Sequence, residues 1–79
     1  MSHADTDPHP AGPARFLGRT CSFDHANDPA KRLVGIVADA RYVGRTTRGN
    51  IPDYLLTIRG ASGALLEVSL VERRASFPV

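Results

Sequence analysis

The 79-residue chain has one cysteine, one methionine, no tryptophan, two tyrosines and three phenylalanines. A lone Cys21 excludes an intramolecular disulfide, so this is no disulfide scaffold and a cytoplasmic setting is the default. With so few aromatics, a stacking platform for several bases is hard to build. No stretch approaches the roughly 20 apolar residues of a membrane-spanning helix, so no membrane partner is expected. The first residues carry Asp5, Asp7 and prolines with no apolar run, which does not read as a signal peptide. His3, His9, His25 and Cys21 lack the paired spacing of a structural zinc site. Phosphate-binding glycine motifs, nucleophile elbows and paired carboxylates are missing too. Cys21 and His25 are close enough in sequence for a nucleophile and base, but an inward strand cysteine has a buried, inert thiol. No catalytic residue, metal or cofactor is expected, and the chain does not read as an enzyme.

What is present is arginine, unevenly spread. Nine of the ten cations are Arg, for a net charge of +2. Residues 1–30 set Arg15 and Arg19 against Asp5, Asp7, Asp24 and Asp28, a net −2. Residues 31–59 set Lys31, Arg32, Arg41, Arg45, Arg48 and Arg59 against Asp39 and Asp53, a net +4. The last 20 residues balance. A planar guanidinium fork suits phosphate or carboxylate.

Residues 1–14 read as a disordered arm: Pro8, Pro10 and Pro13 remove backbone donors, and too little is apolar to offset ordering entropy. Residues 15–79 read as one domain of alternating strands. Arg15–Phe23 is the first, with Leu17, Cys21 and Phe23 on one parity. Asn27-Asp28-Pro29 marks a turn. Arg32–Val43 is the second, with Val34, Ile36, Ala38, Ala40 and Tyr42 on its inward face. Leu33, Ile36, Val37 and Ala40 also fit a helix, but β-branched residues and Gly35 favour the strand. Asp53–Arg59 turns Tyr54, Leu56 and Ile58 inward, and Gly60-Ala61-Ser62-Gly63 is a tight hairpin connection. Ala64–Val71 follows with Leu66, Val68 and Leu70 inward, then a short segment Ala75–Val79 that Pro78 confines to an edge. Strand order and loop lengths resemble an SH3-like, five-stranded antiparallel small barrel. The four-residue link at 60–63 leaves no room for the helix usual in an oligonucleotide-binding-type barrel. A folded chain this short buries only about 60% of its unfolded surface, so no deep substrate cavity is expected.

The segment Val43-Gly44-Arg45-Thr46-Thr47-Arg48-Gly49-Asn50 stands out, because no core needs Arg45 or Arg48. Two guanidiniums on a glycine-hinged loop suit phosphate. Arg41, Arg59 and Arg32 are candidate allies, and Thr46, Thr47 and Asn50 add polar groups for phosphates or base edges. Tyr42 or Tyr54 could stack a base, but both fall on inward parity and read as core. The expected function is non-enzymatic binding, either contacting nucleic-acid phosphates or acting in a nucleic-acid-handling complex. The alternative is a protein-interaction module or regulatory subunit, docking on a protein or a second copy through a sheet edge or an outer apolar patch. Leu33, Val37, Leu55, Leu65 and Val71 fall on the outer parity: in a strongly bent barrel some of them cover the second half of the core, and exposed together they form that patch.

Overall fold

The computed structural model describes residues 12–28 and 30–78. The expected arm falls outside the described residues up to position 11, His3 and His9 included. Its last residues do not stay extended. Gly12–Phe16 is a 3-10 helix, opened by Pro13 where a missing N–H costs least and closed by Gly18 in the left-handed region. The helix displaces the start of the expected first strand. Phe16 rather than Leu17 enters the core, at 5% against 49% exposure.

The sheet is four antiparallel strands in sequence order: β1 (Thr20–Asp24), β2 (Arg32–Arg45), β3 (Pro52–Arg59) and β4 (Leu65–Ser69). It curls into a half-barrel, and the described residues include no α-helix. The five-stranded expectation is corrected at the end of the chain. The last segment contributes one isolated bridge, in which the Ser22 N–H donates to Ser76 O (2.9 Å) and the Ser76 N–H returns to Ser22 O (2.8 Å). Pro78 has no N–H to extend that ladder. Arg32 buckles this seam. Its guanidinium donates to Asp24 Oδ1 (2.6 Å), Ser22 O (2.9 Å) and Arg74 O (3.0 Å), while Arg74 Nε reaches Asp24 Oδ2 (2.9 Å).

β3 is read correctly from its alternation: Tyr54, Leu56 and Ile58 are buried, as are Cys21 and Phe23 of β1 and Val68 of β4. β2 departs from its expected face. Val37 pairs with Ile58 and Asp39 with Thr57, leaving Ala38 as an unpaired bulge residue. One extra residue inverts the parity of all that precedes it. Val37 is therefore buried, whereas Val34 and Ile36 are 62% and 51% exposed. Beyond the bulge the expected face holds, with Ala40 opposite Leu56. Gly35 faces inward, close against β3. A Cβ there would collide with Ile58 Cγ2 and lie 2.7 Å from Arg59 O. The anticipated patch changes with this. Leu33 and Val37 join the core, Leu55 and Val71 are half-buried, and Leu65 alone of that set stays exposed.

Candidate functional site

β2 outlasts its neighbours. β1 pairs with it only from Arg32 to Ile36, and β4 pairs with β3 only from Leu55 to Arg59. From Tyr42 to Tyr54 the β2–β3 hairpin thus runs on without a flanking strand on either side among the described residues. The molecule is accordingly elongated, 48 × 32 × 21 Å. A two-stranded ribbon is marginal by itself, so this arm needs anchoring. Asp53 supplies it at the root: its carboxylate accepts from Ser69 Oγ (2.7 Å), the Val71 N–H (3.0 Å) and the Tyr54 N–H (2.8 Å).

The tip is built from its own polar groups. The Thr46 N–H donates to Ile51 O (2.9 Å), the Thr46 hydroxyl donates to Arg48 O (2.6 Å), and the Ile51 N–H donates to Thr46 Oγ1 (3.2 Å). Arg45 Nη1 closes the loop on Asn50 O (2.6 Å). A second bulge, between Tyr42 and Gly44, turns the arm, and Gly44 sits at φ +98° where a side chain would be strained.

The candidate residues separate into four places. Arg45 and Arg48 lie together at the tip, and Thr47 and Asn50 are exposed beside them. Thr46 does not offer its hydroxyl to a ligand, because the loop uses it. Arg41 and Arg59 share the outer face of the sheet, opposite Leu55 and Ile36. Four residues of β3 separate their rows, about 13 Å at the strand rise. Between them runs the row Asp39–Thr57–Glu67, so two carboxylates divide these arginines. Arg32 stands at the far end of β2, about 40 Å from Arg45 along the strand, and its guanidinium is taken up by Asp24, Ser22, Arg74 and Ser76. Arg32 is thus held at the seam between β1 and the C-terminal segment, apart from the arm.

The inner face of the arm brings Arg45 together with the two tyrosines. Arg45 pairs with Pro52 and Tyr42 with Tyr54, which puts Arg45, Tyr42 and Tyr54 on one side. Tyr54 is buried, its ring meeting Phe16 edge-on at 5.1 Å. The Arg15 guanidinium lies 4.5 Å over Phe16 and 4.9 Å over Tyr54, and donates to Gly12 O (2.9 Å). Tyr42 tilts on Tyr54 at 5.4 Å and is 51% exposed. The tyrosine expected in the core is therefore a surface ring.

Cys21 is fully buried, and burial raises its thiol above the ordinary value, with the Arg32 charge and the Ser76 N–H acting the other way. His25 Nδ1 accepts the Asn27 N–H at 3.1 Å. A cleft of about 370 Å³ opens at the other end of the sheet, lined by apolar residues including Phe23, Leu33, Val34 and Leu66. No family model, curated protein or solved structure matches the chain.

Proposed function

We propose that this is a cytoplasmic, non-enzymatic binding protein whose β2–β3 arm contacts nucleic-acid phosphates. The observation that carries the reading is the arm itself, which extends past both flanking strands and presents Arg45 and Arg48 at its tip. Among the described residues both ion pairs belong to Asp24, so neither tip arginine is neutralised by a carboxylate. Arg45 is oriented by Asn50 O and keeps further N–H donors for a phosphate. Arg41 and Arg59 act as a weaker second set, reduced by Asp39 and Glu67. The barrel is read as SH3-like, with the return of Ser76 to Ser22 as a rudimentary fifth strand in support.

Titration of labelled DNA and RNA at two salt concentrations tests this reading. Three or four neutralised phosphates give a log–log salt slope of about −2 to −4. Arg45→Ala with Arg48→Ala is expected to flatten the slope by about 1 to 2 and weaken binding to every sequence alike. Absence of binding at low salt, or binding unchanged in the double variant, removes the reading.

A second reading, docking on a protein, is favoured by one specific row. Ile36, Arg59 and Leu65 lie side by side across β2, β3 and β4, with Val34 near them, and Ile36, Leu65 and Val34 are half or more exposed. β4 is also an open edge. Gly60 and Leu70 bond inward to Ala64 and Tyr54, which leaves the backbone groups of Leu65 and Glu67 directed away from β3. Self-association or strand addition at this edge, measured by sedimentation, distinguishes it from the arm.

A further inference from the structure

We propose that Tyr42 is a base-stacking residue and that the arm's ligand is therefore single-stranded nucleic acid. This rests on the reading of the arm as a nucleic-acid contact and names the class of nucleic acid it takes.

Three observations converge on Tyr42. Its ring is half exposed, although it projects from the inner face of a strand. The ring is backed by Tyr54, which itself packs edge-on against Phe16 and beneath the Arg15 guanidinium. A ring already held loses little freedom when a base lies on it. The charges around it also have one sign. Arg45 is on the same face within about 10 Å along the strand, a span suited to a stacked base and a neighbouring phosphate. Arg15 lies behind Tyr54. The acids of this region face elsewhere: Asp39 is paired with Thr57 on the outer side, and the Asp53 carboxylate is turned into the Ser69–Val71 turn. Among the described residues of the arm, ring and guanidinium thus coincide on the inner face, away from the carboxylates of Asp39 and Asp53.

This arrangement selects an unpaired strand. In a duplex both faces of each base are covered by neighbours, so a ring on the flank of a ribbon finds no base face. In a single strand an unstacked base can lie on Tyr42 while Arg45 and Arg48 follow the backbone. One ring gives a short footprint and little sequence preference, because every base has a π face. It does not build a platform for several bases, in keeping with the scarcity of aromatics.

The full chain, titrated with labelled oligothymidylate, oligouridylate and a duplex of equal length, tests the proposal. Single strands are expected to bind more tightly than duplex. Tyr42→Ala is expected to weaken single-strand binding about tenfold, within a range of about 5- to 150-fold, with the salt slope unchanged. Tyr42→Phe should retain binding. The chain has no Trp, so its emission comes from Tyr42 and buried Tyr54. Quenching of the wild-type tyrosine emission on binding, lost in Tyr42→Phe, reports the stack without relying on a truncated variant. Duplex bound as tightly as single strand, Tyr42→Ala without effect, or no quenching at saturation would each overturn the stacking proposal and leave the arm's phosphate contact standing. No binding of any nucleic acid at low salt would overturn both.

Discussion

Tyr42 and Tyr54 stand opposite each other across the β2–β3 ladder, yet Tyr42 is 51% exposed and Tyr54 only 8%. Partners in register on the same face ordinarily share an environment. Here the 3-10 helix divides them: Phe16 and Arg15 close over Tyr54 and leave Tyr42 half exposed. The boundary between core and arm runs between these two rings. Substitutions on the Tyr54 side are expected to act on stability, and those on the Tyr42 side on binding.

Asp53 is the hinge of that boundary. Its carboxylate holds Ser69 and Val71 and so ties the arm's root to the turn after β4. Hydrogen bonds to a charged acceptor contribute about 1.5–3 kcal/mol. Asp53→Ala is expected to lower stability by about 2–3 kcal/mol, visible in the midpoint of denaturant unfolding. It should also increase amide exchange at Val71, whose N–H loses its acceptor, before exchange rises in β1. Equal exchange throughout would mean that the carboxylate does not anchor the arm.

Gly35 tests the close crossing of β2 over β3. Any Cβ there meets Ile58 Cγ2 and the Arg59 carbonyl, and the carbonyl is ladder backbone that cannot swing aside. Overpacking of this kind costs about 1–3 kcal/mol. Gly35→Ala should lower the thermal midpoint despite its better intrinsic strand preference, and Ile58→Leu in the same chain, which removes the Cγ2 branch at nearly constant volume, should recover part of the loss. An unchanged midpoint for Gly35→Ala would show the two strands further apart than described.

Much of the sheet was legible in the sequence, and the exceptions have local causes. The alternation of Tyr54, Leu56 and Ile58 is uninterrupted, and the glycine-flanked turn at 60–63 specifies a hairpin, so β3 and the link to β4 follow directly. In β2 a single unpaired residue, Ala38, inverts the faces of Val34 and Ile36, and nothing in a run of apolar residues marks where such a bulge falls. Arg45 and Arg48 were visible as cations that no core requires. Arg32 looked identical in composition. The β1–β2 ladder places Arg32 opposite Asp24 and near Ser22, and the return of the C-terminal segment to β1 adds Arg74 and Ser76. That contact spans more than 40 positions and has no local signature.

Arg32 therefore provides a control for the binding proposal. Arg32→Ala leaves Asp24, whose side chain is 15% exposed, with Arg74 alone. The expected loss is about 1–3 kcal/mol of stability, with the salt slope of nucleic-acid binding unchanged. A slope reduced by about 1 would instead assign Arg32 a phosphate contact.

Cys21 gives a pH signature. Burial raises its folded-state pKa, so the native state prefers the protonated thiol. Its stabilising contribution is fully present below the unfolded thiol's ordinary value and is lost as pH rises from there through the raised native value. Unfolding free energy is expected to be insensitive to Cys21 at neutral pH and to fall in mildly alkaline solution, a decline that Cys21→Ala flattens. Labelling by a thiol reagent should proceed only as fast as the core opens. Rapid labelling of the folded protein at neutral pH would contradict the buried position.

The separation of charge between the two faces can be tested without touching any arginine. Asp39 and Glu67 lie in the outer row between Arg41 and Arg59. If a nucleic acid follows the outer face, Asp39→Asn with Glu67→Gln removes two repulsive charges at contact distance and tightens binding severalfold. If it follows the inner face past Tyr42 and Arg45, those carboxylates are on the far side of the sheet. At 0.15 M salt the screening length is about 8 Å, so charges of the far face are largely screened from the ligand. The double variant is then expected to bind within about twofold of the original chain at that ionic strength, and to differ only at low salt, where screening lengths grow to about 30 Å. A severalfold gain at 0.15 M would transfer the contact to Arg41 and Arg59 and leave Tyr42 without a ligand.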